Sequence, residues 1–156
     1  MQPKYVRESQ VITTELVLPN DTNQLGNLLG GRLMHWIDIA AAIAAQRHCG
    51  RVCVTASVDE LNFHEAIRLG EIVVLRASIN RAFRTSMEVG VVVTSHGLHS
   101  GPPRRANNAY LTFVATDEKG KPVAVPAVTP ESDDEKRRYE EALIRRQQRL
   151  ARRTQL

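Results

Sequence analysis

Aromatic side chains make up only 4% of this 156-residue sequence, so platforms on which unpaired bases could stack are scarce. Cysteine is equally sparse. Cys49 and Cys53 are the only two, and a pair four residues apart is no disulfide framework. A reducing compartment would keep them as buried free thiols. Beside His48 they lack the second Cys/His pair that a tetrahedral metal site needs, and no metal is expected. No stretch approaches the ~18–20 continuous apolar residues of a membrane helix. Met1 to Gln10 is polar, without the apolar segment of a secretory signal, so a cytoplasmic location is expected. A Gly-x-Ser-x-Gly elbow is missing too, which argues against a serine triad built from Ser57 with His35 or His64. Charge of one sign is also modest. The 21 basic and 17 acidic residues leave a net +4, enough to favour a small phosphate-rich ligand without demanding nucleic acid.

What is present suits one α+β domain. Hydrophobic residues are 42% of the chain, sufficient for a core in a domain of this size. Val11 to Leu18 reads as a strand, and residues 19–27 form a turn-rich segment of Pro, Gly and Asx residues. A helix is predicted from about Gly30 to Arg47. Its interior is apolar nearly all the way round, which predicts burial on every side. Gly50 supplies its stop. Four further runs rich in Val, Ile, Thr and Tyr read as strands: Arg51 to Phe63, Glu71 to Ala82, Thr85 to His96 and Asn107 to Asp117. No helical pattern separates them, so the sheet should be antiparallel. Residues 1–130 make the domain, with Gly97 to Arg105 its long irregular loop. Residues 131–156 form a charged, exposed C-terminal helix, capped by Thr129 with Pro130 at its first position. Its acids lie early and five arginines follow Ala142, matching the helix dipole.

Asp38 is out of place in the apolar helix. Its neighbours at i±3 and i±4 are Met34, His35, Ala41 and Ala42, so no basic residue within the helix can pair with it. Desolvation of such a carboxylate raises its pKa and makes it a candidate general base. The alternative is that Asp38 bonds an amide or side chain from another element. Gly30 and Gly31 open the helix, where unpaired amides can polarise a carbonyl or hold an anion, although most such pairs only serve tight packing. Glu88 falls in a strand where alternation turns it outward, and it is left without a role.

The ordered series Pro19-Asn20-Asp21-Thr22-Asn23-Gln24-Leu25-Gly26-Asn27-Leu28-Leu29-Gly30-Gly31, then Met34 and Asp38, resembles the opening motif of the hotdog acyl-CoA thioesterases. The likeness continues through residues 54–59, Asn62-Phe63, Gly70-Glu71, residues 84–89, Gly120-Lys121-Pro122 and Val125-Pro126. It covers roughly Val11 to Arg146 and is strongest with the branch of bacterial acyl-CoA hydrolases and the brain-type cytosolic acyl-CoA hydrolase. The resemblance implies a hotdog fold, a long buried helix wrapped by a five- to six-stranded antiparallel sheet. It implies homodimers joined sheet to sheet, assembled as a trimer of dimers, and hydrolysis of acyl-CoA to free fatty acid and coenzyme A without any added cofactor. By position, Asp38 matches the catalytic carboxylate and Asn23 its partner asparagine, facing it across the dimer interface. Gly30 and Gly31 would polarise the thioester carbonyl. Arg84, Thr85 and Ser86 match a turn that contacts coenzyme A phosphates; without the family, a solvated hairpin turn would be the plainer reading. Three rivals stand beside this: a non-catalytic acyl-CoA or nucleotide-binding hotdog module, a nucleic-acid binder suggested by the arginine-rich tail, and an acyl-thioester dehydratase.

Overall fold

The computed structural model describes residues 1–59 and 61–154. Glu60, spanned by the strand expected over residues 51–63, and Gln155 and Leu156, at the end of the expected tail helix, lie outside the described residues. A short strand, Lys4–Tyr5 (β1), comes first. Val11–Leu16 (β2) precedes the helix Gly30–Cys49 (α1). Cys53–Asp59 (β3), Ile72–Ala82 (β4), Ser86–His96 (β5) and Arg104–Ala115 (β6) follow. Val128–Thr129 (β7) and the helix Asp133–Arg153 (α2) complete the order.

The main sheet has the order β2-β4-β5-β6-β3, and every neighbouring pair is antiparallel. The expected strands are all present, with ends that shift by a few residues. β6 begins earlier than expected because Arg104 and Arg105 pair with Ser95 and Thr94, which shortens the irregular loop. A parallel pairing of β1 with β7 was not anticipated; two residues each are too few to leave a pattern in sequence.

Alternation fixes the inner face. Val73, Leu75, Ala77 and Ile79 of β4, Met87, Val89, Val91 and Val93 of β5, and Leu111, Phe113 and Ala115 of β6 are all buried. They pack on Leu33, Ile37, Ala40, Ala41, Ala44 and Ala45 of α1. Burial of each larger side chain stabilises the fold by roughly 1.5–3 kcal/mol. Gly50 ends α1 in the left-handed conformation at φ 69°. The expectation that α1 is buried on every side needs correction. Its sealed residues lie on the sheet-facing side, while His35 is exposed and Ile39 is 44% exposed. One sheet covers one side of a helix, and the described residues leave much of the other open.

α2 also departs from expectation. Its cap is Ser132 and not Thr129: the Ser132 Oγ accepts the Glu135 amide at 3.1 Å, while Thr129 is spent in β7. Nor is the helix simply exposed. It lies across the outer face of the sheet, and Ala142 and Arg145 are buried there. Arg145 donates from Nε and Nη2 to the two carboxylate oxygens of Glu88, each at 2.8 Å. It also stacks 3.6 Å above the Tyr110 ring. Asn80 adds a third bond to Glu88 at 2.9 Å, and its amide lies so close over Gly90 that a Cβ there would approach it to 2.7 Å. Glu88 does point outward, as alternation requires, but into this covered ion pair. Removing one partner of a buried pair strands the other charge. Arg145→Met should therefore cost about 3–5 kcal/mol of stability, and Arg145→Met with Glu88→Leu should recover most of it in urea unfolding.

Candidate active site

The turn-rich segment that leads into α1 is pinned to its surroundings by its own acids and amides. Asp21 accepts the Leu18 amide at 2.9 Å and pairs with Arg32 of α1 at 3.2 Å. The Leu28 amide donates to the Ile67 carbonyl and the Leu69 amide to the Gly26 carbonyl, so the loop is stitched to the segment before β4. Within it Asn23 forms an Asx turn: its Oδ1 accepts the amides of Leu25 at 2.9 Å and Asn27 at 3.2 Å. With Oδ1 committed to the loop, the Nδ2 donor has no acceptor among the described residues and is the end available to another molecule.

Leu29 caps α1 with extended backbone and contributes no side-chain bond, because a leucine has no acceptor to offer. The amides of Gly30 and Gly31 are thus without partners among the described residues, as expected at a helix start. Gly30 also admits the Phe63 ring, which would stand 3.3 Å from a Cβ there; nothing lies within 4 Å of the equivalent position at Gly31.

Asp38 is half-buried on α1. Its Oδ1 accepts a hydrogen bond from Thr55 Oγ1 of β3 at 2.7 Å. Of the two readings of Asp38, a bond from another element is therefore real, and it holds a single oxygen. The hydroxyl donor orients the carboxylate, and Oδ2 accepts no hydrogen bond among the described residues. Nothing in the sequence sets Thr55 apart, although it lies within the Val54-to-Asp59 motif; a hydroxyl on an edge strand reveals its target only once the sheet is folded. Asp38 and Asn23 share no bond within the chain. Seven or eight residues of helix also separate Gly30 and Gly31 from Asp38, roughly 11 Å of rise, too far for one carbonyl to touch both. A site that uses all of them needs two copies.

β3 is an edge strand; Val54 on it is 50% exposed and Val52, just before it, 66%. Open, apolar edges of this kind invite pairing. A cavity of about 640 Å³ lies elsewhere, on the outer face between Arg76, Arg105 and Tyr110. None of Asp38, Asn23, Gly30 or Gly31 lines it, as expected if their site closes only on assembly.

Phe83, Arg84 and Thr85 form the β4–β5 hairpin turn, and Ser86 opens β5. The Phe83 amide donates to the Ser86 carbonyl, and the Thr85 and Arg84 carbonyls accept from Ala115 and Val125. The turn edges a cleft of about 170 Å³ beneath α2, so it is not a bare solvated turn. Cys49 and Cys53 are half-buried free thiols with Sγ atoms 3.2 Å apart. The hydrogen bond from Cys53 holds the Cys49 thiol well below its ordinary range and that of Cys53 above it. His48 turns away from them to bond the Pro126 carbonyl at 2.7 Å, and burial lowers its pKa. No group of three or more metal-binding side chains forms among the described residues.

A helix wrapped on one side by a five-stranded antiparallel sheet, with a hydrogen-bonded carboxylate at mid-helix, is a hotdog domain. Residues 25–100 match the family model described as "Thioesterase superfamily". A Bacillus subtilis protein named an uncharacterized acyl-CoA thioester hydrolase is 42% identical over 134 residues, which is 86% of this chain and 78% of that protein. Mouse acyl-coenzyme A thioesterase 11 is 42% identical over 94% of this chain, but the chain spans only 24% of that longer protein. Among solved structures, a hexameric acyl-CoA thioesterase superposes with a TM-score of 0.93 at 41% identity, covering 97% of each chain. The acyl-CoA hydrolase of Staphylococcus aureus, solved with butyryl coenzyme A and coenzyme A, gives 0.91 at 41% identity over 97% of this chain and 93% of that one. Variants of that hydrolase replace an aspartate, a threonine or an asparagine by alanine. The chain belongs to the thioesterase superfamily, among the hotdog acyl-CoA thioester hydrolases.

Thr55→Val removes the donor to Asp38 and keeps the strand-compatible shape. The variant should unfold within about 0.5 kcal/mol of the parent, as exposed substitutions do, yet turn over thioester more slowly; equal rates would show that the Thr55 bond is not needed to orient Asp38.

Proposed function

We propose that the protein hydrolyses acyl-CoA to free fatty acid and coenzyme A at a site shared by two copies of the chain. The observation that carries this is the half-buried Asp38, held through one oxygen by Thr55 on an open sheet edge. The aspartate, threonine and asparagine replaced in the S. aureus variants are separated along that chain by the same intervals as Asn23, Asp38 and Thr55 here. The asparagine variant was solved with coenzyme A.

The thioester carbonyl lies at the start of one subunit's α1, where the Gly30 and Gly31 amides and the Asn23 Nδ2 can donate to the developing oxyanion. Asp38 of the other subunit takes a proton from water, and the water oxygen bonds the carbonyl carbon. Collapse of the tetrahedral intermediate breaks the C–S bond, and the coenzyme A thiolate leaves and is protonated. In a second version Asp38 attacks the carbonyl itself, giving an anhydride that water then opens. Neither route requires a metal or a redox cofactor. Pairing through the β3 edge would cover the open side of α1, and three such dimers would make the hexamer seen in relatives. Arg84, Thr85 and Ser86 would hold the phosphates of coenzyme A. A cytoplasmic placement fits such a substrate, and no helix among the described residues is long and apolar enough to cross a membrane.

Thiol release from a saturated acyl-CoA tests this. Asp38→Asn should retain the fold and lose about 10²–10⁴-fold in kcat, the range a general base supplies; turnover near that of the parent would end the assignment.

A further inference from the structure

Cys49 and Cys53 take no part in the hydrolysis proposed above. Cys49 is the last residue of α1 and Cys53 the first of β3, and the residues between them, Gly50 to Val52, are exposed. The two Sγ atoms lie 3.2 Å apart, and both approach the Arg51 carbonyl, at 3.6 Å and 3.5 Å. The turn thus wraps the thiols against each other and leaves them half-buried. A disulfide holds its sulfurs about 2.05 Å apart, so the pair has to close by only about 1 Å to bond. A short exposed connection led by Gly50 can supply that movement. The hydrogen bond from Cys53 outweighs burial and brings the Cys49 thiol to about 6, so at neutral pH it is largely the reactive thiolate.

The pair joins the same two elements, on the same sides, as the bond that orients Asp38. Asp38 and Cys49 stand eleven residues apart on α1, about three full turns, so their side chains share one face of the helix. Cys53 and Thr55 are alternate residues of β3 and point to one side of it, ahead of the register shift that follows Thr55. Two side-chain contacts therefore tie α1 to β3, Cys49 to Cys53 and Asp38 to Thr55. Tightening the first displaces the strand that carries the second.

We propose that Cys49 and Cys53 are a redox modification site, which hydrogen peroxide closes to a reversible disulfide that draws β3 against the end of α1 and slows the turnover Asp38 supports. The site stands without the thioesterase reading; the effect on turnover rests on it. The Cys49 thiolate attacks one peroxide oxygen, the O–O bond breaks, and the other oxygen leaves as water, with Cys49 now a sulfenic acid. The Cys53 sulfur then gives up its proton and bonds the Cys49 sulfur, while the S–O bond breaks and a second water departs. The two thiols lose two electrons and two protons, and the peroxide becomes two waters. A thiol reductant reverses the change by exchange.

The full-length protein and its Cys53→Ser variant are treated with hydrogen peroxide, and free thiols, intact mass and turnover of a saturated acyl-CoA are followed. The parent should lose both thiols and the mass of two hydrogens per chain, and recover both with dithiothreitol. A displacement of about 1 Å remote from the reacting atoms can cost up to about 10²-fold in rate, and part of it reaches Thr55, so kcat should fall at least about threefold and return on reduction. Cys53→Ser should stop at the sulfenic acid and keep its rate. Thiols that survive, a disulfide between chains, or oxidation onward to sulfinic acid overturns the site. A disulfide that leaves kcat unchanged, or an equal loss of rate in Cys53→Ser, overturns the link to Asp38. If Cys53→Ser does not fold, Cys49→Ser is read in the same way. If the untreated parent cleaves no acyl-CoA, the thioesterase reading fails and the effect on turnover falls with it, while thiol count and mass decide the site alone.

Discussion

A helix that is apolar on both sides, laid against a sheet that can cover only one, is the constraint on which this structure depends. The inner face of β4, β5 and β6 seals Leu33, Ile37 and the alanines of α1. The other side, with Ile39 and the half-buried Asp38, stays open beside the unpaired edge of β3. Exposed apolar surface and free strand edges are costly to leave uncovered. A second copy would answer both needs, and under the proposed reaction it would also bring together groups that one chain holds apart. The helix-start amides and the mid-helix carboxylate of one chain are too far apart to act on one carbonyl. Two helices arranged about a twofold axis can each bring one of these parts to the other.

On the opposite face the sheet is governed by charge. Strand alternation puts Glu88 and Tyr110 outward, where a two-layer domain would show them to water. α2 instead covers them and returns Arg145 to Glu88 with two bonds of 2.8 Å. Asp59 of β3 fixes Arg149 one turn later. These pairs set the register of α2 on the sheet, and hence the reach of the arginines that follow toward the hairpin turn. The helix acts as a second wall of the molecule, positioned by a buried ion pair.

Much of this was legible in the residues. Val-rich alternation located the strands and their antiparallel sense, Gly50 the end of α1, and the isolated acid in an apolar run the centre of interest. The illegible parts share a physical cause, which is long-range pairing. Thr55 is an ordinary edge-strand hydroxyl until β3 lies beside Asp38. Glu88 is an ordinary outward acid until α2 arrives from 57 residues away. The apolar girth of α1 reads as burial on all sides because sequence records that a face wants cover, without recording whether the cover is the same chain or another. Ser132 and Thr129 are both competent caps; Ser132 takes the role, and Thr129 pairs with Tyr5 in β7.

The claim that the site is shared between copies is tested most directly by complementation. Asp38→Asn and Asn23→Ala chains, each with its own affinity tag, are co-expressed and the mixed oligomer is isolated through both tags. Shared sites predict that it regains substantial thioesterase activity although each parent variant has little, because one of the two sites in a mixed dimer then carries both native residues. A mixed oligomer no more active than its parents would contradict the account.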